Sequence, residues 1–186
     1  MSDEPFYFRI KEPSVREAVL EWWQQLDKQR GTRAELRRSD TLDAVLLTEG
    51  FRNLWQALEQ TGQRRDRDML SWACVAAALA EVREQPTAKD TTFARRLGEQ
   101  KEKTGKPYMS EMRFAQLQKS RSGDDFLMRL RRALSLINKT APVLSLADNI
   151  LHWFQEQQGD QAARPMDRLA VRWATDYFTA VNAYDK

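Results

Sequence analysis

The stretch GDDFLMRLRRALSLI, residues 123–137, contains the clearest helical pattern in this chain of 186 residues. Its apolar residues recur at intervals of three and four, which is the spacing of one face of an α-helix. These residues are Phe126, Leu127, Leu130, Leu134 and Ile137. On a helical wheel Arg132 lies opposite this face, and Arg129 and Arg131 lie on its two flanks. The stretch therefore predicts a core-packed helix that also carries three closely spaced arginines.

Similar helical patterns cover most of the chain, and they predict an all-α fold. Strand-like alternation and short hairpin signals such as Asn-Gly are absent from the sequence. Polar residues with capping spacing predict several helix starts, namely Ser14, Thr32, Ser110 and Ser122. Gly31 is expected to end the first helix. The predicted helices span residues 15–28, 42–47, 51–58, 66–84, 93–97, 111–119, 123–137, 145–157 and 165–183, with a short basic helix after Thr32.

A polar segment divides the chain into two predicted helical lobes. Residues 86–108 are rich in charge and are interrupted by Gly98, Gly105 and Pro107, as is typical of a connection. We predict an N-terminal helical lobe at 1–85 and a C-terminal helical lobe at 109–186. The linker at 86–108 is expected to hold one short helix and an exposed loop. The predicted architecture is a two-lobed helical bundle.

Composition indicates a folded protein that is not associated with a membrane. Hydrophobic residues make up 41% of the chain and charged residues 31%, which is typical of globular domains. No apolar run approaches the roughly 18 residues of a membrane span, and no secretory signal is recognisable. The single cysteine, Cys74, cannot form an internal disulfide. We therefore expect a cytoplasmic protein.

The sequence contains no recognisable catalytic or metal-binding motif. Its one histidine, His152, has no cysteine or histidine partner with zinc-ligand spacing. No P-loop, dinucleotide fingerprint or Gly-x-Ser-x-Gly turn is present. We predict no catalytic residue, no metal and no cofactor, and hence no enzymatic activity. An enzyme with an unrecognised site is an alternative that tight metal or nucleotide binding would support.

Charge is strongly segregated along the chain. Residues 28–38, 89–106 and 113–139 carry net charges of +4, +3 and +5, whereas the remaining residues together carry −9. A concentrated basic surface is typical of proteins that bind polyanions. Exposed arginines and lysines are also common on ordinary helices, so charge alone leaves this interpretation open.

The six tryptophans offer a second possible contact with nucleic acid. Exposed aromatic side chains beside basic residues can stack on unpaired bases. Trp22 is the best candidate, because the adjacent Trp23 already fits the inward face of its helix. Packing within the core or against another subunit is the favoured interpretation of Trp22.

Three stretches, taken in order, resemble the CasB family, the small subunit of the type I-E CRISPR Cascade complex. They are LEWWQQLDKQRGTRAELRRS at 20–39, MSEMRFAQLQKSRSGDDFLMRLRRALSLI at 109–137, and the closing helix pair with Trp153. The resemblance extends from about Ala18 to Phe178. Residues 86–108 and the first dozen residues match no family pattern.

The resemblance implies a function that agrees with the charge pattern. Members of this family are all-helical, two-lobed and non-catalytic, and two copies sit head to tail in the complex. A basic face steadies the hybrid of guide RNA and target DNA and the displaced strand. The implied partners are guide RNA, target DNA, the backbone and large subunits of Cascade, and a second copy of the chain. Residues at positions that match the basic motifs are Arg37, Arg38, Arg113, Lys119, Arg121, Arg129, Arg131 and Arg132.

Two other classes of protein remain as alternatives. A helical adaptor could use the same basic patches against acidic proteins without touching nucleic acid. A free-standing regulator of nucleic acid is the other alternative, but a clear helix-turn-helix with base-reading residues is lacking.

Overall fold

The computed structural model describes residues 6–184 and confirms the all-α prediction. Over this range the chain forms ten α-helices and no strand. Extended pairing is limited there to two isolated bridges, Glu84 with Thr140 and Gln100 with Pro107. Also within residues 6–184, no helix is both long and apolar enough to cross a membrane.

The helices are numbered in chain order. They are α1 (Pro13–Gln25), α2 (Arg30–Arg38), α3 (Leu42–Leu46), α4 (Glu49–Gln60), α5 (Met69–Leu79), α6 (Phe93–Gly98), α7 (Glu111–Gln118), α8 (Gly123–Leu136), α9 (Val143–Gln157) and α10 (Leu169–Tyr184). Single 3₁₀ turns at Asp66–Asp68 and Pro165–Asp167 lie just before α5 and α10.

The predicted caps are correct at two helices and wrong at two others. The hydroxyls of Ser110 and Ser122 accept backbone N–H groups at the starts of α7 and α8, as predicted. Helix α1 instead begins at Pro13, whose ring fixes the backbone angle that the first helical residue needs. The expected cap at Ser14 is therefore not used. Gly31 lies inside α2 rather than ending α1, so Thr32 is not a cap either.

Helix α5 is the centre of the packing. All nine residues from Ser71 to Leu79 are buried, and α5 contacts α2, α3, α4, α8 and α9. The helix ends at Leu79 rather than near Glu84 as predicted. Beyond it, the N–H groups of Arg83 and Glu84 donate to the carbonyl of Lys139. This contact with a distant loop replaces further helical hydrogen bonds.

The buried apolar cluster includes residues from both predicted lobes. It extends from Ile10 to Tyr177, and α5 packs directly on α8 and α9. Separation of the lobes would expose this shared apolar surface to water, at about 25 cal/mol per Å². The division at residues 86–108 stays a prediction.

Segment 86–108 contains the predicted short helix, and that helix is firmly packed. Helix α6 has its closest partner in α10, and a Cβ added to Gly98 would overlap the carbonyl of Tyr177. After α6, residues 101–106 are exposed, and the N–H of Lys101 donates to the carbonyl of Lys106 at 2.8 Å. The segment thus combines a docked helix with an exposed loop.

The N-terminal strap, residues 6–11, is bound to α9 by one buried carboxylate. Asp148 is 1% exposed and accepts backbone N–H groups from Phe8, Arg9 and Ile10. The ring of Phe8 stacks on that of His152 at 4.0 Å between centroids. A buried carboxylate needs such donors, because burial without them is very costly. The strap and α9 therefore depend on each other.

Trp22 and Cys74 are both buried in the core. Trp22 is 4% exposed, and its Nε1 donates to the carbonyl of Gly50 at 2.9 Å, so it packs within the core rather than offering a face to a base. Cys74 is fully buried, and burial raises the pKa of its thiol. A thiol in this state is a packing group.

Candidate nucleic-acid interface

Helices α7 and α8 enclose a groove of about 400 Å³ that brings three of the predicted residues together. Arg113 reaches it from α7, and Arg129 and Arg132 reach it from α8. Arg129 and Arg132 are three residues apart, so they lie on neighbouring parts of one helical surface. We call this feature the α7–α8 groove.

The groove has an apolar floor and a polar rim. Met109 and Leu117 are 3% and 1% exposed, and Leu136 is half-buried. Gln116 and Ser135 are exposed at the rim. Among the described residues that line the groove, none is Asp or Glu. The local charge is therefore positive.

The three arginines of the groove differ in how they are held. The Nε of Arg129 donates to Asp125 Oδ1 at 3.0 Å. The Arg121 backbone N–H, and then the Arg129 side chain, keep the pKa of Asp125 below its usual range. Within residues 6–184, the side chains of Arg113 and Arg132 have no hydrogen bond or ion pair, and both are exposed. Two guanidinium groups are thus available to an anionic ligand.

Arg131, next to Arg132 in sequence, turns toward the protein. Its Nη1 donates to the carbonyl of Ser39 at 2.7 Å, and its Nη2 donates to that of Leu36 at 2.9 Å. Burial lowers the pKa of Arg131, and Glu81 partly offsets this effect. In this conformation Arg131 connects α8 to the C-terminal end of α2.

Glu81 lies among three basic side chains from different parts of the chain. Its carboxylate oxygens are 3.2 Å from Arg37 Nε, 3.7 Å from Arg131 Nε and 3.6 Å from Lys139 Nζ. One carboxylate cannot neutralise three cations, so this cluster keeps a net positive charge. Arg38, beside it at the end of α2, is exposed and has no ion pair within residues 6–184.

Lys119 and Arg121 lie between α7 and α8, outside the groove. Both are exposed, and within residues 6–184 neither side chain makes a hydrogen bond or ion pair. The backbone N–H of Arg121 donates to Asp125 Oδ2 at 3.0 Å. They extend the basic surface around the start of α8. The eight predicted residues thus fall into three groups. Three line the groove (Arg113, Arg129 and Arg132), two contact Glu81 (Arg37 and Arg131), and three are exposed near helix ends (Arg38, Lys119 and Arg121).

Sequence reasoning missed the acidic centre of the cluster and the floor of the groove. Glu81 follows a long buried apolar run, and an acid at such a position signals a basic partner, because buried charges are normally paired. Met109 directly precedes the cap of α7, and its carbonyl accepts a hydrogen bond from the hydroxyl of Tyr177 in α10 at 2.6 Å. No local pattern identifies it.

The described residues give no support to a metal site. Within residues 6–184 no group of three or more His, Cys, Asp or Glu side chains could hold an ion. His152 is fully buried, with Arg172 Nη1 3.2 Å from its Nδ1. Burial first, and then Arg172 and Arg9, lower the pKa of His152 to about 4.

Comparison with known proteins gives one family. The model of the CRISPR-associated protein Cse2 family matches residues 32–178, which is most of the chain and includes the α7–α8 groove and the Glu81 cluster. No curated protein and no solved structure matches the chain.

Proposed function

The chain belongs to the Cse2 family, the CasB small subunit of type I-E Cascade, and from this premise we propose that it stabilises the R-loop. In this proposal its basic surface contacts the phosphates of the guide RNA–target DNA hybrid and of the displaced strand. Base pairing with the guide supplies the specificity, and the subunit supplies affinity for the backbone. The protein would act in the cytoplasm beside the backbone and large subunits and a second copy of itself.

The observation that carries this proposal is the convergence of Arg113, Arg129 and Arg132 on one groove whose described lining contains no Asp or Glu. Arginine presents a planar fork of donors that fits phosphate oxygens. Phosphate contacts position a protein on nucleic acid without reading its sequence. Arg38, Lys119 and Arg121 enlarge the surface.

Modest contacts are sufficient for this function. Exchange of a DNA duplex for an RNA–DNA hybrid is nearly balanced in free energy, so contacts to the backbone can shift it. Affinity for a single strand falls as salt rises, and each phosphate contact makes the slope of log affinity against log salt concentration more negative by about 0.7. Two or three arginines at the groove would therefore produce a measurable dependence on salt.

The test is charge reversal in assembled Cascade. Arg132→Glu should shorten the lifetime of the R-loop and reduce the salt slope, for unrelated target sequences alike. Arg67→Glu is a matched control, because Arg67 is exposed, outside the three basic segments, and makes no ion pair within residues 6–184. Equal R-loop lifetimes for the two variants and the unmodified protein would contradict the proposal.

We also propose that the subunit is non-catalytic, as the family generally is. Purified protein should neither cut nucleic acid nor hydrolyse nucleotides in the presence of Mg²⁺ or Mn²⁺. Cleavage that persists through rigorous purification and scales with the protein would overturn this.

A helical adaptor that binds only protein is a second candidate, favoured by two exposed methionines. Met112 on α7 is 71% exposed, and Met128 on α8 is 43% exposed. Methionine is common on adaptable protein-binding surfaces. In this case Met112→Ser and Met128→Ser would release the subunit from Cascade, and Arg132→Glu would leave R-loop lifetime unchanged in complexes of normal composition.

A further inference from the structure

We infer that the α7–α8 groove holds one unpaired nucleotide of the displaced DNA strand, with its base on the apolar floor and its phosphates on Arg113 and Arg132. This inference rests on the proposed function and goes beyond it. The proposal above requires only contacts to the backbone. The groove contains features that a backbone contact does not need.

The first such feature is the floor. The half-buried Leu136 offers accessible aliphatic carbon at the base of a cavity of about 400 Å³, and the almost fully buried Met109 and Leu117 lie behind it. Phosphates and sugars gain nothing from aliphatic carbon, whereas the flat face of a base is apolar and gains from burial. The volume lies in the range of sites that hold small organic ligands. A single nucleotide suits both the size and the chemistry.

The second feature is the contrast among the arginines. Arg129 is held by Asp125 at 3.0 Å, so its planar group has a fixed position at the groove. A fixed guanidinium can stack on a base through cation–π and planar contacts. Arg113 and Arg132, which are unpaired within residues 6–184, remain available to the phosphates on either side.

The third feature is the rim. The side-chain amide of Gln116 both donates and accepts hydrogen bonds, and so does the hydroxyl of Ser135. Groups with both capacities can adapt to the edge of any base. The groove would therefore accept nucleotides with little preference for sequence, as an R-loop subunit requires.

Double-stranded nucleic acid cannot use this floor. Bases in a duplex are stacked and paired, and extruding one costs a few kcal/mol. The displaced strand has unpaired bases at no such cost. The groove thus favours the displaced strand over the hybrid.

The experiment compares two single strands with the same phosphates. Full-length protein is titrated at low salt with an oligothymidine and with an abasic oligonucleotide of equal length, each carrying a fluorophore. One stacked base makes binding roughly 5- to 150-fold tighter, so the abasic strand should bind more weakly by this factor. Equal affinities of the unmodified protein for the two strands would overturn the inference.

A groove-filling variant separates this inference from the proposed function. Ser135→Leu places aliphatic volume at an exposed rim position of α8 and leaves all three arginines in place. It should lower affinity for oligothymidine to that for the abasic strand, without changing abasic binding or thermal unfolding. Unchanged affinity of this variant for oligothymidine would place the base elsewhere and overturn the inference.

The variant Arg132→Glu tests whether the groove contacts phosphates, through its affinities for the oligothymidine and the abasic strand. If it weakens binding of both strands, while the unmodified protein binds the two strands equally, the proposed function stands and the base site fails. If Arg132→Glu changes neither affinity, the groove is not the phosphate contact, and both proposals fail.

Discussion

Arg131 Nη1 donates to the carbonyl of Ser39 at 2.7 Å, although the two residues are 92 positions apart in the chain. Carbonyl groups at the end of a helix lack partners within it, and a cation at that end also complements the helix dipole. By satisfying the carbonyls of Leu36 and Ser39, Arg131 fixes the end of α2 against α8. Two adjacent arginines, Arg131 and Arg132, thus have opposite environments.

This contrast gives a prediction for stability. Arg131→Ala should lower the free energy of unfolding by about 1–3 kcal/mol, because it leaves the part-buried carbonyl of Ser39 without a donor and that of Leu36 with only the N–H of Ser39. Arg132→Ala should change it by no more than about 0.5 kcal/mol, as is usual for an exposed side chain. Urea denaturation of both variants measures the difference. Equal effects would mean that Arg131 does not hold α2 in solution.

Removal of the acidic centre should also destabilise the protein. Glu81→Gln leaves Arg37, Arg131 and Lys139 without their shared carboxylate. Because Arg37 and Lys139 are partly exposed, we expect a loss of about 1–3 kcal/mol, below that of a fully buried pair. Glu84→Gln removes the same charge at an exposed position and should be nearly neutral. The difference should shrink as salt is added, and a loss independent of salt would count against an ionic cause.

Stability should depend on pH through His152. The pKa of His152 is about 4 in the folded protein and about 6.5 when unfolded. Between these values the unfolded chain binds a proton that the folded chain does not. Stability therefore falls as pH drops from 6.5 to 4, by roughly 3 kcal/mol at most. Glu156 Oε1 lies 3.2 Å from His152 Nε2, a contact that favours the protonated imidazole. Burial, Arg172 and Arg9 nevertheless lower the pKa of His152.

The matched variant for this prediction is His152→Gln, which cannot titrate. Its curve of unfolding free energy against pH should be flatter than that of the unmodified protein between pH 4 and 6.5. Parallel curves would assign the acid sensitivity to the carboxylates instead.

Gly98 should be intolerant of any side chain. Gly98→Ala would force α6 away from the backbone of α10 at Tyr177, and such overpacking costs about 1–3 kcal/mol. Gly31→Ala provides the comparison, since Gly31 lies inside α2 with nothing within 4 Å of an added Cβ. That change should stabilise the helix by about 0.5–1 kcal/mol. Similar melting temperatures for the two variants would refute this packing argument.

Limited proteolysis tests the predicted division at residues 86–108. Trypsin should cleave first after Lys101 or Lys103, because this loop is exposed, and should leave two helical fragments. Mass spectrometry identifies the site. If the fragments separate on gel filtration and each keeps its helical circular dichroism, they are autonomous lobes. First cleavage within α8 would place the boundary elsewhere.

The local features of this fold could be predicted from sequence, and those that depend on packing could not. The apolar spacing of residues 123–137 identified α8 to within one residue, and Ser110 and Ser122 marked two helix starts correctly. The end of α5 was wrong because Lys139, from a distant loop, accepts the N–H groups of Arg83 and Glu84.

The same distinction applies to the candidate interface. The wheel correctly placed Arg132 away from the core, because orientation on one helix is a local property. It could not show that Arg113 and Arg132 would line the same groove, or that Arg131 would bind α2, because both depend on how helices pack. The charge pattern thus predicted a basic surface but not its groove.

The contact of Asp148 with the N-terminal strap has a consequence for the order of folding during synthesis. About 140 residues separate the carboxylate from the N–H groups that it accepts. The strap is therefore synthesised well before its docking site, and translation adds about 5–20 residues each second. Residues 6–11 must wait undocked for several seconds and can attach only after α9 has been made.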